Sequence, residues 1–189
     1  YVWGCNRINI FWSVNIAMIE FQNVYFSYKG SDAAIKDISF SIKQGECTVL
    51  CGRSGSGKST ILRTVSGLAP IFYDGTLQGK IEVDKRIPAE LESEERAKLF
   101  GVVFQDPRSQ FFMNTVQDEI CFAAENIGVP SNKIKEMLFE VSKFVGIEDL
   151  LSRNIDELSS GQKQKVAIAS SLIFVSSGIL VQSPLFGVI

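Results

Sequence analysis

A glycine-rich segment between an apolar run and a helical pattern constrains the fold of this chain more than any other feature. Residues 52–60 read GRSGSGKST, which fits the pattern G-x-x-x-x-G-K-[ST], and the preceding CTVLC of 47–51 suits a buried strand. Apolar residues then recur at helical spacing, at Ile61, Leu62, Val65 and Leu68. The sequence therefore predicts a strand, a loop and a helix whose first backbone N–H groups point back at the loop, an arrangement that binds a polyphosphate.

The residue types in this loop suit that chemistry. Gly52, Gly55 and Gly57 let the backbone approach phosphate oxygens without a clashing Cβ. Lys58 would neutralise the β- and γ-phosphates, and the Ser59 hydroxyl would ligate Mg²⁺. The alternative is a flexible Gly/Ser turn, which the flanking strand and helix patterns disfavour.

Composition limits what else the chain can be. With 189 residues and 46% hydrophobic content, it can form one globular domain with a core and room for a subdomain, but not two full domains. A net charge of -2, from 19 basic and 21 acidic residues, predicts no nucleic-acid partner. The absence of histidine excludes imidazole metal sites and histidine-based triads. Four cysteines without a C-x-x-C pair predict reduced, cytosolic thiols.

The first 17 residues differ from the rest of the chain. They are rich in aromatic residues, and polar residues interrupt every apolar run, so they match neither a membrane span nor a signal peptide. Met18 directly precedes the first well-patterned segment. We therefore expect the native protein to start at Met18, with 1–17 as an upstream extension and 18–189 as the domain.

Strand patterns come first in the patterned part of the chain, at 19–28 and again at 38–42, where apolar residues alternate with polar ones. After the strand at 47–51 and its helix, a further strand is predicted at 79–83, then a solvated helix over the acidic run from Glu90 to Arg96, then a strand at 101–104. This mixture of strands and helices around a phosphate loop indicates an α/β fold with a β-rich edge.

Two polar or aromatic residues at strand ends have two interpretations each. Tyr28 is suited either to stacking on a nucleotide base or to packing on a core face. Gln105 either closes its strand with a hydrogen bond or acts as a ligand to Mg²⁺ and the attacking water. Spacing alone does not choose between these interpretations.

A helical block follows between 115 and 144. Thr115 with Asp118 resembles a capping box for a helix at 116–126, and Ser131 opens a second helix. The apolar residues around this block are either core or a docking surface for a partner helix, with packing slightly favoured: Phe111, Phe112, Met113 and Phe122.

A Ser-Ser-Gly stretch precedes the last helical pattern. Residues 158–162 read LSSGQ, and 163–169, KQKVAIA, continue as a helix. Ser159, Ser160 and Gly161 at a helix N-terminus would form a second anion site or an ordinary N-cap, and the residues alone favour the N-cap.

Three segments together resemble a known family. GRSGSGKST, VVFQDP and LSSGQKQKVAIA occur in that order, with a helical block between the last two, and resemble the nucleotide-binding domain of ATP-binding cassette (ABC) transporters from Ile19 to about Ala169. The stretch 110–130, with DEICFAAENIGVP, looks most like the ATPase subunits of energy-coupling-factor (ECF) importers for vitamins and transition metals. The resemblance implies a P-loop NTPase core with a mainly parallel sheet and flanking helices. It also implies N-terminal antiparallel strands and an inserted helical subdomain at about 107–157.

The resemblance also implies roles for individual residues. Tyr28 would be the base-stacking aromatic, and Gln105 the loop glutamine, with a catalytic role beside Lys58 and a contact to Mg²⁺. The ATP-binding residues would be those of the Walker A loop, namely Gly52, Arg53, Ser54, Gly55, Ser56, Gly57, Lys58, Ser59 and Thr60, and those of the signature, namely Ser159, Ser160, Gly161 and Gln162.

Partners follow from the same resemblance. In such families ATP with Mg²⁺ lies between the phosphate loop of one subunit and the signature of another. The resemblance therefore implies a homo- or heterodimer of ATPase subunits, bound to an integral membrane transporter subunit at the cytoplasmic face of the membrane.

The chain departs from the family after the signature helix. The family has an apolar strand ending in Asp-Glu-Pro, whereas 178–184 read GILVQSP, so Gln182 replaces the Asp and Ser183 the Glu when aligned on Pro184. Either the domain is catalytically degenerate, or the residues after about Ala169 come from a truncated or frame-shifted reading, which the apolar, nearly uncharged tail favours. We expect impaired ATP hydrolysis in both cases.

The sequence leaves two possible functions. The first is an ATPase subunit that drives uptake of a small nutrient through a membrane partner. The alternative is a nucleotide-binding, non-hydrolysing partner in a heterodimer. A P-loop kinase or GTPase is disfavoured by the signature.

Overall fold

The computed structural model describes residues 19–43, 46, 48–104, 106–173, 178–182 and 186–188. The predicted leader, 1–17, lies outside them. The described residues form two compact units, one holding the chain up to Val102 and again from Gly178, the other running from Val103 to Ile173.

The described residues contain seven strands and five α-helices. In chain order they are β1 (Ile19–Tyr28), β2 (Ala33–Ile42), β3 (Val49–Cys51), α1 (Lys58–Val65), β4 (Gly75–Val83), α2 (Ser93–Leu99), β5 (Phe100–Val103), α3 (Val116–Asn126), α4 (Ser131–Val145), α5 (Ser160–Leu172), β6 (Gly178–Gln182) and β7 (Phe186–Val188). None of the described helices is long and apolar enough to cross a membrane.

An antiparallel sheet in the order β2-β1-β4 carries much of the first unit's core. In β1 the buried side chains are Ile19 and Phe21, then Val24 and Phe26, so the alternation skips one residue. The register shifts there against both neighbouring strands, and Asn23 has a φ of 47°. One extra residue in β1 forms a bulge that returns the apolar side chains to the core face.

The second sheet has the order β3-β7-β6-β5. Both β3 and β6 pair antiparallel with β7, so β3 and β6 run parallel to each other. The α/β class and the antiparallel N-terminal strands agree with the expectation, but β7 departs from a mainly parallel sheet. Three residues, 183–185, separate β6 from β7. A parallel crossover needs about a dozen residues, so this connection allows only an antiparallel neighbour.

Element boundaries differ from the prediction where pairing reaches beyond the apolar alternation. β2 begins at Ala33 rather than 38 because Ala33 pairs with Ser27 of β1, and β4 begins at Gly75 because Gly75 pairs with Tyr28. The helix expected at 90–96 is α2, Ser93–Leu99, preceded by a 3₁₀ turn at Pro88–Glu90.

The expectation of a solvated helix is wrong for one charged residue of α2. Arg96 is only 8% exposed, and the neighbouring Leu99 is fully buried. The acidic residues of this helix, Glu94 and Glu95, lie on its exposed face. The run of charged residues therefore did not indicate that this helix buries Arg96 together with Leu99.

The second unit is built from α3, α4 and α5 around a core of its own. Thr115 caps α3 as predicted, since its hydroxyl accepts from the Asp118 backbone N–H at 3.2 Å. In α4 the apolar side chains of Ile134, Leu138 and Val141 are buried on one face. The predicted subdomain of about 107–157 lies inside this unit, which also contains α5.

The apolar cluster before α3 is only partly covered. Phe111 and Met113 are half-buried, whereas Phe112 is 74% exposed and stacks on Phe122 with 5.4 Å between ring centroids. The backbone N–H groups of Phe112 and Met113 both donate to the buried Glu119 carboxylate, at 2.8 and 2.9 Å. The backbone of this segment is thus anchored to Glu119 while one aromatic ring faces solvent.

The two cysteines that the structure describes side chain by side chain, Cys51 and Cys121, are free thiols. Cys51 is exposed at the end of β3, and Cys121 is buried in α3. Burial, with smaller contributions from the charges of Glu125 and Asp118, raises the pKa of Cys121 to about 11. This thiol therefore stays protonated and unreactive at neutral pH.

Candidate functional site

The loop between β3 and α1 has a backbone that requires its glycines. Gly55 and Gly57 have left-handed φ values of 80° and 89°. A Cβ on Gly57 would lie 2.7 Å from the Ala34 carbonyl oxygen, and one on Gly52 would lie 2.7 Å from Ser56 Oγ. A side chain at Gly57 would clash with the backbone of β2, and one at Gly52 would crowd Ser56 within the loop. The segment is therefore a tight turn that leads into a helix.

Lys58 folds back over the loop that it follows. Its Nζ donates to the carbonyl oxygens of Gly52 at 2.8 Å and Arg53 at 2.9 Å. Neither of the ion pairs found among the described residues involves Lys58. The ammonium group is thus held at the mouth of the loop by neutral carbonyls, and its positive charge is available to an anion.

The start of α1 adds backbone donors to this charge. Gly57 precedes the helix and provides no side-chain cap, and the first turn of α1 contains no acidic residue. The first N–H groups of a helix lack intrahelical partners and carry the positive end of its dipole. An uncapped helix start, a lysine and a glycine turn at one place fit a polyphosphate.

The residues around the loop fit Mg²⁺ only together with phosphate oxygens. Ser59, the second residue of α1, is half-buried beside the predicted phosphate position. No group of three acidic or cysteine side chains within the described ranges is arranged to hold a metal ion. Mg²⁺ commonly takes few protein ligands and completes its octahedral shell with substrate phosphates and water, so one hydroxyl is an adequate anchor.

Tyr28 lies against the helix that follows the loop. Its hydroxyl is 3.0 Å from Thr60 Oγ1 and accepts a hydrogen bond from Arg63 Nη1 at 3.1 Å. Its half-buried ring packs edge-to-face on Phe26, with centroids 4.9 Å apart. The core-packing interpretation of Tyr28 therefore describes the observed contacts, while stacking on a base remains a prediction.

The second predicted anion site begins α5, in the other unit. Ser159 is the N-cap, and its hydroxyl accepts from the Gln162 backbone N–H at 3.3 Å while the Gln162 side chain accepts from the Ser159 N–H at 2.9 Å. This reciprocal pair is a capping box. Ser160 and Gly161 are exposed, and a Cβ on Gly161 would meet no atom within 4 Å.

Comparison with known proteins decides the family. The family model described as ABC transporter matches residues 35–181 of this chain. The chain belongs to the ABC transporter family. The motif-based resemblance is therefore confirmed.

Individual relatives of this ABC chain include ATP-binding subunits of ECF transporters. The chain is 39% identical over 162 residues to the ECF transporter ATP-binding protein EcfA1 of Mycoplasma mobile, covering 85% of this chain and 57% of that protein. EcfA1 of Ureaplasma parvum is 41% identical over 157 residues, covering 82% of this chain and 51% of the relative. A putative ABC transporter ATP-binding protein of Treponema denticola is 38% identical over 168 residues, covering 88% of this chain and 34% of that protein. The chain thus spans between one third and somewhat over half of these relatives.

A solved structure has the same fold. CbiO1 from Clostridium perfringens, part of the ABC transporter complex CbiONQ, matches with a TM-score of 0.75 and 28% sequence identity. The match covers 86% of this chain and 64% of CbiO1. The α/β fold with antiparallel N-terminal strands is therefore that of an ABC ATPase.

Three residues that the resemblance places in the catalytic part of the site are not described in full. Gln105 and Ser183 lie outside the described residues, and only the backbone of Gln182 is described, as the last residue of β6. The ABC family match stops at Val181, immediately before Gln182. The roles assigned to these positions stay predictions.

The sequence analysis did not single out Arg63, which lies beside Tyr28 near the candidate site. Arg63 donates to the Tyr28 hydroxyl and also stacks over the Tyr73 ring, with its guanidinium carbon 4.1 Å from the centroid. It lies three residues after Thr60 on α1, so both side chains lie on the same helix face. That spacing was visible in the sequence, but the two tyrosines that Arg63 contacts are brought to it only by the fold.

Proposed function

We propose that this chain is the ATP-binding subunit of an ABC importer of the ECF type, which couples ATP binding and hydrolysis to uptake of a small nutrient. The observation that carries this proposal is Lys58, whose ammonium is held by two backbone carbonyls at the mouth of a glycine turn and an uncapped helix start. The names of its relatives, ECF transporter ATP-binding proteins, support the same assignment.

ATP would be held mainly through its phosphates. The loop residues 52–57 present backbone donors around the β-phosphate, and Lys58 exchanges its two carbonyl contacts for charged contacts to phosphate oxygens. Ser59 would anchor Mg²⁺, which when bound neutralises charge on the β- and γ-phosphate oxygens. Tyr28, beside Thr60, would contact the base.

The start of α5 would bind the ATP that a second subunit holds. Gly161 costs helix stability relative to alanine, yet nothing described within 4 Å requires a glycine there. Exposed Ser160 and Gly161 leave a smooth, polar helix end that a phosphate could approach from outside. We infer that the partner ATPase subunit, identical or homologous, supplies that phosphate.

An integral membrane subunit would be the second partner. Phe112 presents its ring to solvent while Glu119 fixes the backbone beneath it, which suits a preformed apolar contact. We infer that the chain is peripheral to the cytoplasmic face of the membrane through this subunit. The transported solute would be a vitamin or a metal ion.

A second candidate function rests on the last residue of β6, Gln182, and on Ser183, which follows it in the sequence. Gln182 carries no charge to order Mg²⁺, and Ser183 is not basic at neutral pH. Loss of a general base alone slows a reaction by about 10² to 10⁴. These substitutions favour a subunit that binds ATP without hydrolysing it and works beside a hydrolysing partner.

Calorimetry and phosphate release on the purified chain test both functions. We expect saturable binding of ATP with Mg²⁺, with AMP much weaker because it lacks the β- and γ-phosphates, and phosphate release near background. Equal binding of ATP and AMP would contradict the phosphate loop assignment. Steady Mg²⁺-dependent phosphate release that Lys58→Ala abolishes would show that the Gln182-Ser183 pair does not prevent catalysis.

A further inference from the structure

A pocket at the far end of α1 is not part of the phosphate site. It has a volume of about 170 Å³ and lies between the segment after α1 and the helix α2, within the first unit. Its wall is mainly apolar, formed by Leu68, Phe72, Phe100 and Val102, and its polar groups include Arg96 and Ser93. Because α1 has eight residues, about 12 Å of helix separates this pocket from the phosphate loop.

Arg96 brings an incompletely paired charge to this pocket. The residue is only 8% exposed, and its Nη2 donates to Ser93 Oγ at 3.3 Å. Its Nη1 is buried and has no hydrogen-bond partner among the described residues, and neither ion pair found among them includes it. A guanidinium stays charged inside proteins, and a buried charge without a counter-ion is costly.

The surroundings of Arg96 are shaped to keep it in this position. Gly67 has a φ of 70°, and a Cβ there would lie 2.7 Å from Arg96 Cδ and 2.7 Å from the Pro88 carbonyl oxygen. The glycine therefore leaves the space through which the arginine side chain passes. The Phe72 ring, 65% exposed, lies at the edge with its centroid 5.8 Å from the guanidinium carbon.

We propose that this pocket binds one carboxylate carried on an apolar group. A carboxylate would pair with the Arg96 guanidinium and compensate the buried charge, and the apolar group would contact Leu68, Phe72 and Val102. A phosphate monoester fits less well, because one guanidinium and one hydroxyl offer too few donors for a dianion in an apolar wall. The site goes beyond the proposed function, since it contains none of the ATP-binding residues.

Small matched probes on the full chain test the charge requirement. Benzoate and benzyl alcohol share a ring and differ in the carboxylate, and binding can be followed by NMR through the methyl group of Ala97, which lines the pocket. We expect saturable shifts with benzoate and none with benzyl alcohol. Arg96→Met should weaken benzoate binding about tenfold or more, since a hydrogen bond between charged groups is lost. Lys98→Met, which removes an exposed positive charge from the same helix, should leave it unchanged.

A second arm identifies where the carboxylate comes from. A short peptide with Glu between Phe and Leu represents a carboxylate on a protein segment, and the same peptide with Gln is its control. Binding of benzoate alone indicates a free organic acid, and selective binding of the Glu peptide indicates a protein segment. The proposal is overturned if neither carboxylate binds, if the neutral probes bind equally well, or if Arg96→Met binds like the parent chain. If Arg96→Met fails to fold, comparison of the charged and neutral probes on the parent chain still tests the proposal.

Discussion

The helices α1 and α5 both begin where an anion is expected, and the chain builds the two starts in opposite ways. α1 is preceded by Gly57, which provides no side-chain cap, and Lys58 lies at the loop mouth. α5 is preceded by Ser159, which forms a complete capping box with Gln162. One helix start thus leaves its donors to a ligand, whereas the other satisfies part of them with its own side chains.

This difference shows why the candidate site at α1 can be identified from a single chain, whereas the one at α5 cannot. At α1 the glycines, the lysine and the backbone conformation make a candidate phosphate site whose parts all belong to one chain. At α5 the capping box stabilises the helix regardless of any ligand, and only the unexplained Gly161 points to something outside the chain. The first site is therefore expected to bind ATP alone, and the second to act only in an assembly.

The largest expected effect is a loss of ATP affinity when one positive charge is removed at the start of α1, compared with removal of one positive charge near the start of α5. Lys58→Ala should weaken ATP binding by about 10²-fold, because contacts between charged groups contribute about 1.5–3 kcal/mol each. Lys163→Ala removes the same charge near the start of α5 and should leave the affinity of a single subunit unchanged. Titration calorimetry at low protein concentration measures both. Equal losses in the two variants would mean that the two helix starts do not differ as proposed.

The sequence predicted the glycine turn before α1 well because its signal is local. Gly52, Gly57 and Lys58 adopt the geometry that their spacing indicates, and Thr115 and Ser159 cap helices at the expected positions. Other features depend on contacts between residues distant in sequence. The alternation of apolar residues in β1 is interrupted near Asn23 in the sequence. Only the pairing of β1 with β2 and β4 shows that this interruption is a bulge.

Charge and strand direction were harder to predict. Arg96 belongs to an acidic run that is typical of a solvated helix, and only the packing of Gly67 and Phe72 around it shows that it is buried. The direction of β7 depends on the short connection after β6, which outweighs the family expectation of parallel neighbours. The first expectation came from the composition of one segment and the second from the family pattern, and neither included the contacts that decide the outcome in this chain.

The second prediction concerns assembly. Ser160→Arg should leave ATP binding by a single subunit intact but prevent ATP-dependent dimerisation, because a large side chain would enter the space proposed for the partner's γ-phosphate. Ser160→Ala, which adds no bulk, should dimerise like the parent chain. Sedimentation velocity with and without ATP distinguishes the two. ATP-driven dimers of the Ser160→Arg variant at normal affinity would remove α5 from the proposed interface.

The smallest expected effect is a change in the free energy of unfolding when glycine is replaced by alanine at each of the two helix starts. Gly57→Ala should destabilise the chain by about 1–2 kcal/mol, because a non-glycine residue at a left-handed φ is strained and its Cβ would meet the Ala34 carbonyl. Gly161→Ala should stabilise it by up to about 1 kcal/mol, because alanine favours the helix and its Cβ would meet nothing. Urea unfolding measures both changes, and their opposite signs are the test. If Gly161→Ala is also destabilising, the glycine is needed by this chain's own fold, and the argument that an outside phosphate accounts for it fails.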